Sequence, residues 1–345
     1  MVKNRYEYVW IDADNNLRSK SRVLDTDEIF IVEELPIWNF DGSSTGQAPG
    51  IDSEVYLKPV KMYVDPFSVL NKNNERMSDF LVLCETFNDD LETPHITNTR
   101  NKLFSLTNDE NVSSQKPWFG FELEFFMINR YTNLPLGFTS TDEIPKQGQF
   151  YCGNGANSSF GRNIMNEFYD NCLYSGVNIV GVNAEVACGQ WEYQIFGDTL
   201  NATDDAWMSK YILNRVAENH DVLISWHPKP IKGDCNGSGM HTNFSTVKMR
   251  EDGGLQEIID TMPKLESKHR EHLEVYGEDN DKRLTGEHET ASIDTFSWGY
   301  GDRGRSVRIG KLTQKNGKGY FEDRRPASSS DVYEVAHRLI KTICF

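Results

Sequence analysis

One stretch of nine residues constrains the fold most, because it is almost entirely apolar and still carries two acids. It runs from Trp118 to Phe126 (WFGFELEFF), and seven of its residues are apolar or glycine. In a strand, Glu122 and Glu124 point to the same side. Burying two ionised carboxylates is costly unless cations or hydrogen-bond donors compensate them. The alternative is a strand with one solvated face, and the recurrence of the pattern downstream argues against it.

Length and composition are those of a folded protein with one larger and one smaller domain. The chain has 345 residues, of which 38% are hydrophobic and 12% aromatic. Six scattered cysteines without a Cys-x-x-Cys pair favour reduced thiols and a cytoplasmic location. No segment approaches the ~20 apolar residues of a membrane span, and the net charge of −16 argues against a nucleic-acid surface. We therefore expect neither a membrane nor a nucleic acid as partner.

Local patterns predict that residues 1–98 form a small β-rich domain, with a helix starting near its end. Residues 38–46 interleave aromatic side chains with small polar ones, which is typical of a structured binding loop rather than a simple hairpin turn.

Two of the helices predicted after this domain can be checked in detail. One is expected to open at an aspartate, Asp204 or Asp205, and to run to residue 219. The other covers residues 254–276 with a break near Pro263. We expect the charged face of the second helix, which carries His269 and His272, to be solvated.

Acids in apolar or glycine-tight surroundings recur further along the chain. The recurrences are Glu185 in Asn-Ala-Glu, Glu192 in Gln-Trp-Glu, and Glu322 before two arginines, and His241 follows a glycine-rich turn. Each of these features alone is weak evidence for a functional site, because a glutamate in a strand is usually solvated and a histidine after glycines is usually a turn residue. Five glutamates and one histidine together fit a hard-cation site, and mostly oxygen ligands favour Mg²⁺ or Mn²⁺ over zinc.

Residues 301–326 form a basic segment in an acidic chain, with eight lysines and arginines against three acids. Guanidinium groups suit bidentate contact with phosphate or carboxylate, although charge alone fits a solvated loop equally well. Divalent ions beside clustered arginines are the groups that phosphoryl transfer uses for charge neutralisation and positioning. The sequence has no P-loop, so ATP use does not follow from the residues alone.

Several long motifs resemble those of glutamine synthetase of the eukaryotic type, from about Tyr6 to Leu339. They are residues 38–45 (WNFDGSST), 118–124 (WFGFELE), 183–186 (NAEV), 190–192 (QWE), 236–245 (NGSGMHTNFS), 283–290 (RLTGEHET) and 319–326 (GYFEDRRP). The resemblance implies an α+β fold. A small N-terminal β-grasp domain, residues 1–98, would precede a larger catalytic domain, residues 99–345, whose curved antiparallel sheet is flanked by helices.

By matched position, the resemblance also implies a role for individual residues. One metal ion would be held by Glu122, His241 and Glu322, and the other by Glu124, Glu185 and Glu192. Substrate would be bound by Arg283, Arg303, Arg324, Asp234, Cys235 and Asn236. The nucleotide would be bound by Glu122, Glu192, Asn243, Phe244, Ser245, Arg303, Arg308 and Tyr320. Catalytic roles would fall to Glu289 on a flap that closes the site, to Arg324, and to Glu54 in an ammonium pocket.

The implied activity is that of an ATP-dependent ligase in glutamine biosynthesis. L-Glutamate and ATP would give γ-glutamyl phosphate, which ammonia would attack, with Mg²⁺ or Mn²⁺ at two sites. In the family, active sites lie between subunits in five-membered rings stacked in pairs, so the resemblance implies a homodecamer, with a single pentamer as the fallback.

Four departures from the family pattern bear on these expectations. The aspartate of the ammonium pocket is Glu54 here, and a tryptophan near the glycine-rich turn is Cys235. A glycine-proline pair is replaced by Phe196-Gly197, where adenine contacts are expected. Both termini are shorter than usual, so contacts made by those tails are expected to be lost.

Two alternatives remain beside glutamine synthesis. A ligase that joins glutamate to another amine is kept open by Glu54. A non-catalytic structural or sensing protein would be favoured by the loss of a metal ligand, and all six implied ligands are present.

Overall fold

The structure, a computed structural model, describes residues 2–26, 29–68, 79–140 and 143–345. The chain divides into two compact units, residues 1–105 with 171–177, and residues 106–170 with 178–345. Each unit contains a β-sheet, and helices flank the sheets, which confirms the α+β fold class. The boundary predicted between residues 98 and 99 stays a prediction.

The first unit is built around a five-stranded sheet. Its strands are β1 (Val2–Ile11), β2 (Leu17–Thr26), β3 (Trp38–Asp41), β4 (Glu54–Val64) and β5 (Phe80–Phe87). They lie in the order β2-β1-β5-β4-β3, with β1 and β5 parallel and the other neighbours antiparallel. Alternate residues of β1, namely Tyr6, Tyr8 and Trp10, are buried in one aromatic cluster, as the two-residue period of a strand requires.

The predicted binding loop at residues 38–46 is ordered by its own hydrogen bonds. The carboxylate of Asp41 accepts a bond from the Ser43 amide at 3.1 Å and so caps the 3₁₀ turn Gly42–Thr45. A Cβ atom at Gly42 would lie 2.6 Å from Val55 Cγ2, so the turn requires glycine at this position.

The second unit is built around a nine-stranded sheet. Its strands are β6 (Trp118–Asn129), β7 (Leu134–Pro135), β8 (Ile179–Ala184), β9 (Gln190–Asp198), β10 (Val222–Ser225), β11 (Met240–Ser245), β12 (Trp298–Tyr300), β13 (Val307–Ile309) and β14 (Phe321–Asp323). Seven lie in the order β12-β13-β14-β11-β6-β9-β8, and β7 and β10 also pair with β6. The pairing is antiparallel except between β12 and β13.

Strand register brings the predicted acids together. Glu122 of β6 stands opposite His241 of β11, and Glu124 stands opposite Glu192 of β9. Glu322 of β14 pairs with the next outward-facing position of β11, Asn243. Because residues two apart share a face, four neighbouring strands present these side chains on one surface of the sheet.

The described residues contain the helices α1 (Thr99–Thr107), α2 (Glu110–Ser113), α3 (Arg162–Ser175), α4 (Thr199–Glu218), α5 (Val247–Arg250), α6 (Gly254–Ser267), α7 (His269–Leu273), α8 (Lys311–Asn316) and α9 (Val332–Ile343). None of them is both long and apolar enough to cross a membrane.

Two expectations about these helices were wrong. Helix α4 begins five residues before Asp204, because Asp198 is its cap and accepts a bond from the Asn201 amide at 3.1 Å. Helix α6 continues through Pro263 and ends at Ser267 instead.

The expected solvation of His269 and His272 was also wrong, because both side chains are buried. His269 Nε2 lies 2.9 Å from the Ile293 carbonyl oxygen. His272 lies between the hydroxyls of Tyr276 and Thr342, at 2.6 Å and 2.9 Å. Their polar atoms are satisfied inside the fold, which a charged helical pattern does not reveal.

Lys210 is a buried cation on α4, a helix that packs against β6, the strand that carries Glu122 and Glu124. Its Nζ donates to the Ser328 carbonyl at 3.1 Å and lies 4.7 Å from the centroid of the Trp226 ring. Ser328 in turn donates its hydroxyl to the Glu124 carbonyl. Burial lowers the pKa of Lys210 from its ordinary 10.5 to about 8, and Asp331 offsets part of the effect.

The Lys210→Met variant should therefore change the pH dependence of stability. Below pH 8 both the folded and unfolded wild-type chains carry the proton, so burial of the charge destabilises the fold in full. As the pH rises from 8 towards 10.5, the folded state loses the proton first and the cost fades. The free energy of unfolding of the variant relative to wild type should fall by about 3 kcal/mol over that range. Urea unfolding at several pH values measures it. The exposed Lys315→Met is the control, and a pH-independent difference for Lys210→Met would contradict the assignment.

Candidate active site

A cavity of about 520 Å³ opens over the acid-bearing surface of the second sheet. Six glutamates, four arginines and two histidines line it. The sequence-predicted residues among them are Glu122, Glu124, Glu185, Glu192, His241, Glu322, Asn236, Arg283, Arg303, Arg308, Arg324 and Glu289. The fold thus gathers into one cavity residues that are up to 202 positions apart, from Glu122 to Arg324.

His241 lies at the centre of the acidic cluster. Its Nδ1 is 3.5 Å from Glu122, 3.8 Å from Glu124 and 3.7 Å from Glu322. Ligand atoms of Glu122, His241 and Glu322 lie within 4.8 Å of one another, and so do those of Glu124, Glu192 and His241. Glu185 also lines the cavity, but its carboxylate accepts bonds from Asn183 and from the Val186 amide.

Burial dominates the electrostatics of this cluster. It raises the pKa of Glu185 to about 7 and also raises the pKa of Glu124. The pKa of Glu192 is raised well above its usual range, first by burial and then by the neighbouring carboxylates. Burial and Arg324 lower the pKa of His241 to about 4, so its imidazole is neutral at pH 7. Burial and the neighbouring carboxylates therefore both oppose full ionisation of this cluster.

This donor set fits hard divalent cations. Carboxylate oxygens and a neutral imidazole are ligands for Mg²⁺ or Mn²⁺. Ligand atoms that all lie within 4.8 Å of one another are close enough to share one ion, since opposite ligands of Mg²⁺ are roughly 4.2 Å apart. A divalent ion would also compensate the buried negative charge and so offset the burial, and the smaller repulsion, that raise these pKa values.

Two arginines of the basic segment converge on Glu322. Arg324 Nη1 lies 2.5 Å from one carboxylate oxygen of Glu322, and Arg308 Nη1 lies 2.6 Å from the other. Arg324 also donates from Nε to the Arg303 carbonyl and from Nη2 to the Glu289 carbonyl. The guanidinium groups of these two arginines thus lie together at the edge of the acidic cluster, and the anion site stays a prediction.

The other two arginines differ in exposure. Arg283 is buried, and its Nη2 donates to the carbonyls of Arg324, Arg325 and Pro326, so most of its hydrogen-bonding capacity serves the fold. Burial lowers the pKa of Arg283 to about 10. Arg303 has a side chain that is about half exposed and lies 3.6 Å from Glu289.

A second cavity, of about 550 Å³, adjoins the first through Glu122 and Gln194. The predicted nucleotide residues Asn243, Phe244, Ser245 and Tyr320 line it. Its aromatic walls also include Trp118 and Phe196, whose ring centroids are 5.6 Å apart in an edge-to-face arrangement. Trp118, Phe196 and Tyr320 each remain more than 40% exposed, an arrangement typical of a binding surface for a planar apolar group.

Sequence reasoning missed several residues of these cavities. The guanidinium of Arg250 lies 3.9 Å from the Trp118 ring centroid, and Tyr151 and His288 line the first cavity. Arg250 carries no local signal, because it meets Trp118 across 132 positions. His288 stood within the quoted motif of residues 283–290, and that motif was the one available signal for it.

Three predicted site residues lie elsewhere. Cys235 is fully buried in an apolar cluster with Phe126, so it does not line the cavity, and Asp234 contacts His288 at 3.1 Å. Glu54 lies in the first unit at the start of β4, where the Tyr56 hydroxyl donates to its carboxylate at 2.8 Å. All six cysteines fall within the described ranges, and none of them forms a disulfide bond.

The fold and the cavities together define an α+β protein with an acidic centre whose donor set fits divalent cations, beside an aromatic cavity. Residues 98–258 match the family model described as glutamine synthetase, catalytic domain. A glutamine synthetase cytosolic isozyme 1-1 of Oryza sativa subsp. japonica is 47% identical over 97% of this chain and 92% of its own length.

Two further relatives give the same result. A glutamine synthetase cytosolic isozyme of Daucus carota is 47% identical over 97% of this chain and 93% of its own length. A glutamine synthetase of Yarrowia lipolytica is 48% identical over 98% of this chain and 90% of its own length. The chain belongs to the glutamine synthetase family, as its motifs indicate.

Proposed function

We propose that this chain is a glutamate–ammonia ligase, which forms L-glutamine from L-glutamate and ammonia at the expense of ATP. The observation that carries the proposal is the joined pair of cavities, one acidic with flanking arginines and the other aromatic, in a chain 47% identical to glutamine synthetases. Several relatives are named cytosolic isozymes, and we place this chain in the cytosol as well.

The proposed reaction has two steps. A γ-carboxylate oxygen of glutamate attacks the γ-phosphorus of ATP and ADP leaves, which gives γ-glutamyl phosphate. Ammonia then attacks the acyl carbon, phosphate leaves, and one proton is released. Arg324 and Arg303 are suited to bind the transferred phosphoryl group, because guanidinium matches its oxygens bidentately.

Two divalent ions, Mg²⁺ or Mn²⁺, would neutralise phosphate charge when bound. Glu122, His241 and Glu322 would hold one, and Glu124, Glu185 and Glu192 the other. Support comes from the distances around His241 and from the raised pKa values of the buried carboxylates. Glu289, on the rim of the same cavity, is suited to attract ammonium and accept its proton.

The aromatic cavity is proposed to take the adenine of ATP, with Phe196 as one of its walls. Phe196→Ala should raise the KM for ATP about tenfold and leave the KM for glutamate nearly unchanged, because stacking on one ring contributes about 1–3 kcal/mol. Steady-state kinetics measure both constants. Tyr131→Ala is the control, since that exposed ring lies outside the cavity. The same KM for ATP in Phe196→Ala and in wild type would exclude a role of Phe196 in binding adenine.

Glu54 is proposed to attract ammonium. Glu54→Ala should raise the KM for ammonium at least about tenfold and change the KM for ATP little, since one opposing charge near a cation contributes 1–3 pKa units of interaction. Because the Tyr56 hydroxyl holds the longer side chain, we expect a narrowed pocket that excludes methylamine. A wild-type preference for an alkylamine would favour the alternative ligase.

We further propose a decamer of two pentameric rings in which Glu54 of one subunit serves the cavity of the next. Mixed assemblies of Glu54→Ala and Glu124→Gln subunits should then regain activity at low ammonium, because some sites receive both intact residues. An active monomer in sedimentation would contradict a shared site.

A further inference from the structure

A short loop carries Glu289 over the first cavity. Thr285 and Ser292 pair in an antiparallel bridge, so residues 286–291 form a closed loop. His288 and Glu289 have left-handed φ angles of 50° and 59°. Residues with a Cβ atom seldom adopt such angles, and two in succession persist only where surrounding contacts hold them.

Contacts on one side of the loop are made with the basic segment and with Arg283. Arg324 Nη2 donates to the Glu289 carbonyl at 3.2 Å, and the Thr290 hydroxyl donates to the Arg283 carbonyl at 3.1 Å. These bonds fix the chain after His288. The first half is held within the loop by the bond from the Thr290 hydroxyl to the Glu287 carbonyl at 2.7 Å, and from a second direction through His288.

The other direction is given by Asp234. Its Oδ1 lies 3.1 Å from His288 Nε2, and the side chains are 92% and 25% exposed. The turn that carries Asp234 is itself anchored: Gln147 accepts a bond from the Asn236 amide at 2.6 Å and donates to the Asp234 carbonyl at 3.0 Å. The contact therefore joins a strained loop to an anchored turn, which reaches the cavity through Asn236.

We propose that Asp234 and His288 are positioning residues whose contact keeps the loop closed over the acyl phosphate. An exposed pair of this kind contributes little free energy, so the population of the open loop should rise only about threefold without it. The proposal rests on the proposed function. In the open form, water attacks the acyl carbon of γ-glutamyl phosphate, phosphate leaves, and glutamate and a proton result, so ATP is consumed without glutamine.

The test uses Asp234→Asn, His288→Asn and the double variant in the full-length protein. Asparagine tolerates left-handed backbone angles, so His288→Asn removes the ring without adding strain. The first measurement is the ratio of phosphate released to glutamine formed at limiting ammonium, which a general loss of stability would not change. The second is amide hydrogen exchange of residues 284–293, which needs no activity.

The matched control is Asp279→Asn. Like Asp234, Asp279 contacts a histidine, which is His227 at 3.1 Å. Like His288, it has a left-handed φ angle, of 59°, and it does not line the cavity. Both test variants should raise the phosphate-to-glutamine ratio and the loop exchange about threefold, with no further effect in the double variant, and the control should match wild type.

Unchanged loop exchange, an unchanged ratio, or equal effects in Asp279→Asn would overturn the proposal. If wild type forms no glutamine at all, the proposed function fails, and the exchange measurement still decides whether the contact holds the loop.

Discussion

Glu124→Gln should reduce glutamine formation by roughly 10²- to 10³-fold while the protein stays folded, the range seen when one electrostatic group is removed from an active site. Glu124 is buried beside His241 and opposite Glu192, and burial raises its pKa. The amide retains the bond accepted from the Gly239 amide at 2.6 Å and removes only the charge. The change therefore isolates the contribution of charge to cation binding.

Stability and binding measurements separate this effect from misfolding. In the metal-free protein, Glu124→Gln should unfold at the same or a higher urea concentration, because it removes one of several mutually repelling buried charges. Titration with Mn²⁺ should show one binding site fewer than in wild type. Glu167→Gln is the control, since Glu167 on helix α3 also contacts a histidine, His220, and its side chain is 39% exposed. Wild-type activity of Glu124→Gln at saturating Mg²⁺ would contradict the metal assignment.

Arg324→Lys should lower kcat by roughly 10²- to 10³-fold with a much smaller change in the KM for ATP. Arg324 contacts Glu322, the Arg303 carbonyl and the Glu289 carbonyl with three different nitrogens. Lysine keeps the charge but cannot reproduce this planar fork, so the phosphoryl group would lose bidentate binding as charge develops on it. Steady-state and single-turnover kinetics measure the two constants.

The matched control for Arg324→Lys lies in the same basic segment. Arg305 forms an exposed pair with Asp302 at 2.8 Å and does not line the cavity, so Arg305→Lys should behave as wild type. Retention of wild-type kcat in Arg324→Lys would mean that the guanidinium does not act on the reacting phosphoryl group.

The strands that carry the acids could be predicted from the sequence because their signal is local. The apolar stretch around Glu122 and Glu124 predicts a strand, and β6 covers it. Strand period alone then fixes which side chains share a face. The register that sets Glu124 opposite Glu192 depends on pairing between distant segments, which no local pattern encodes.

Helix starts and polar burial were predicted less well. Asp198 begins α4 because its carboxylate finds the Asn201 amide, yet later aspartates give the same sequence signal. His269 and His272 belong to a charged helical pattern, and only contacts with Ile293 and Thr342 decide that they are buried. Such partners are 24 and 70 residues away and are set by tertiary packing.

The position of Cys235 illustrates a third kind of miss. The residue replaces an aromatic side chain of the family next to Asn236, which does line the cavity. In the structure the cysteine points away into an apolar cluster that includes Phe126 and Ala187. Adjacent residues in an irregular turn can face opposite directions, and a motif match does not specify which one does.

Transfer of oxygen from glutamate to phosphate tests the central claim most directly. Glutamate labelled with ¹⁸O in its γ-carboxylate is incubated with ATP, ammonium, Mg²⁺ and the enzyme, and the released phosphate is analysed by mass spectrometry. Activation of the carboxylate at this site predicts one ¹⁸O atom in the phosphate for each glutamine formed, and roughly 10²- to 10³-fold less labelled phosphate with Glu124→Gln. Glutamine formed with unlabelled phosphate, or ATP hydrolysis without glutamine in the presence of ammonium, would contradict it.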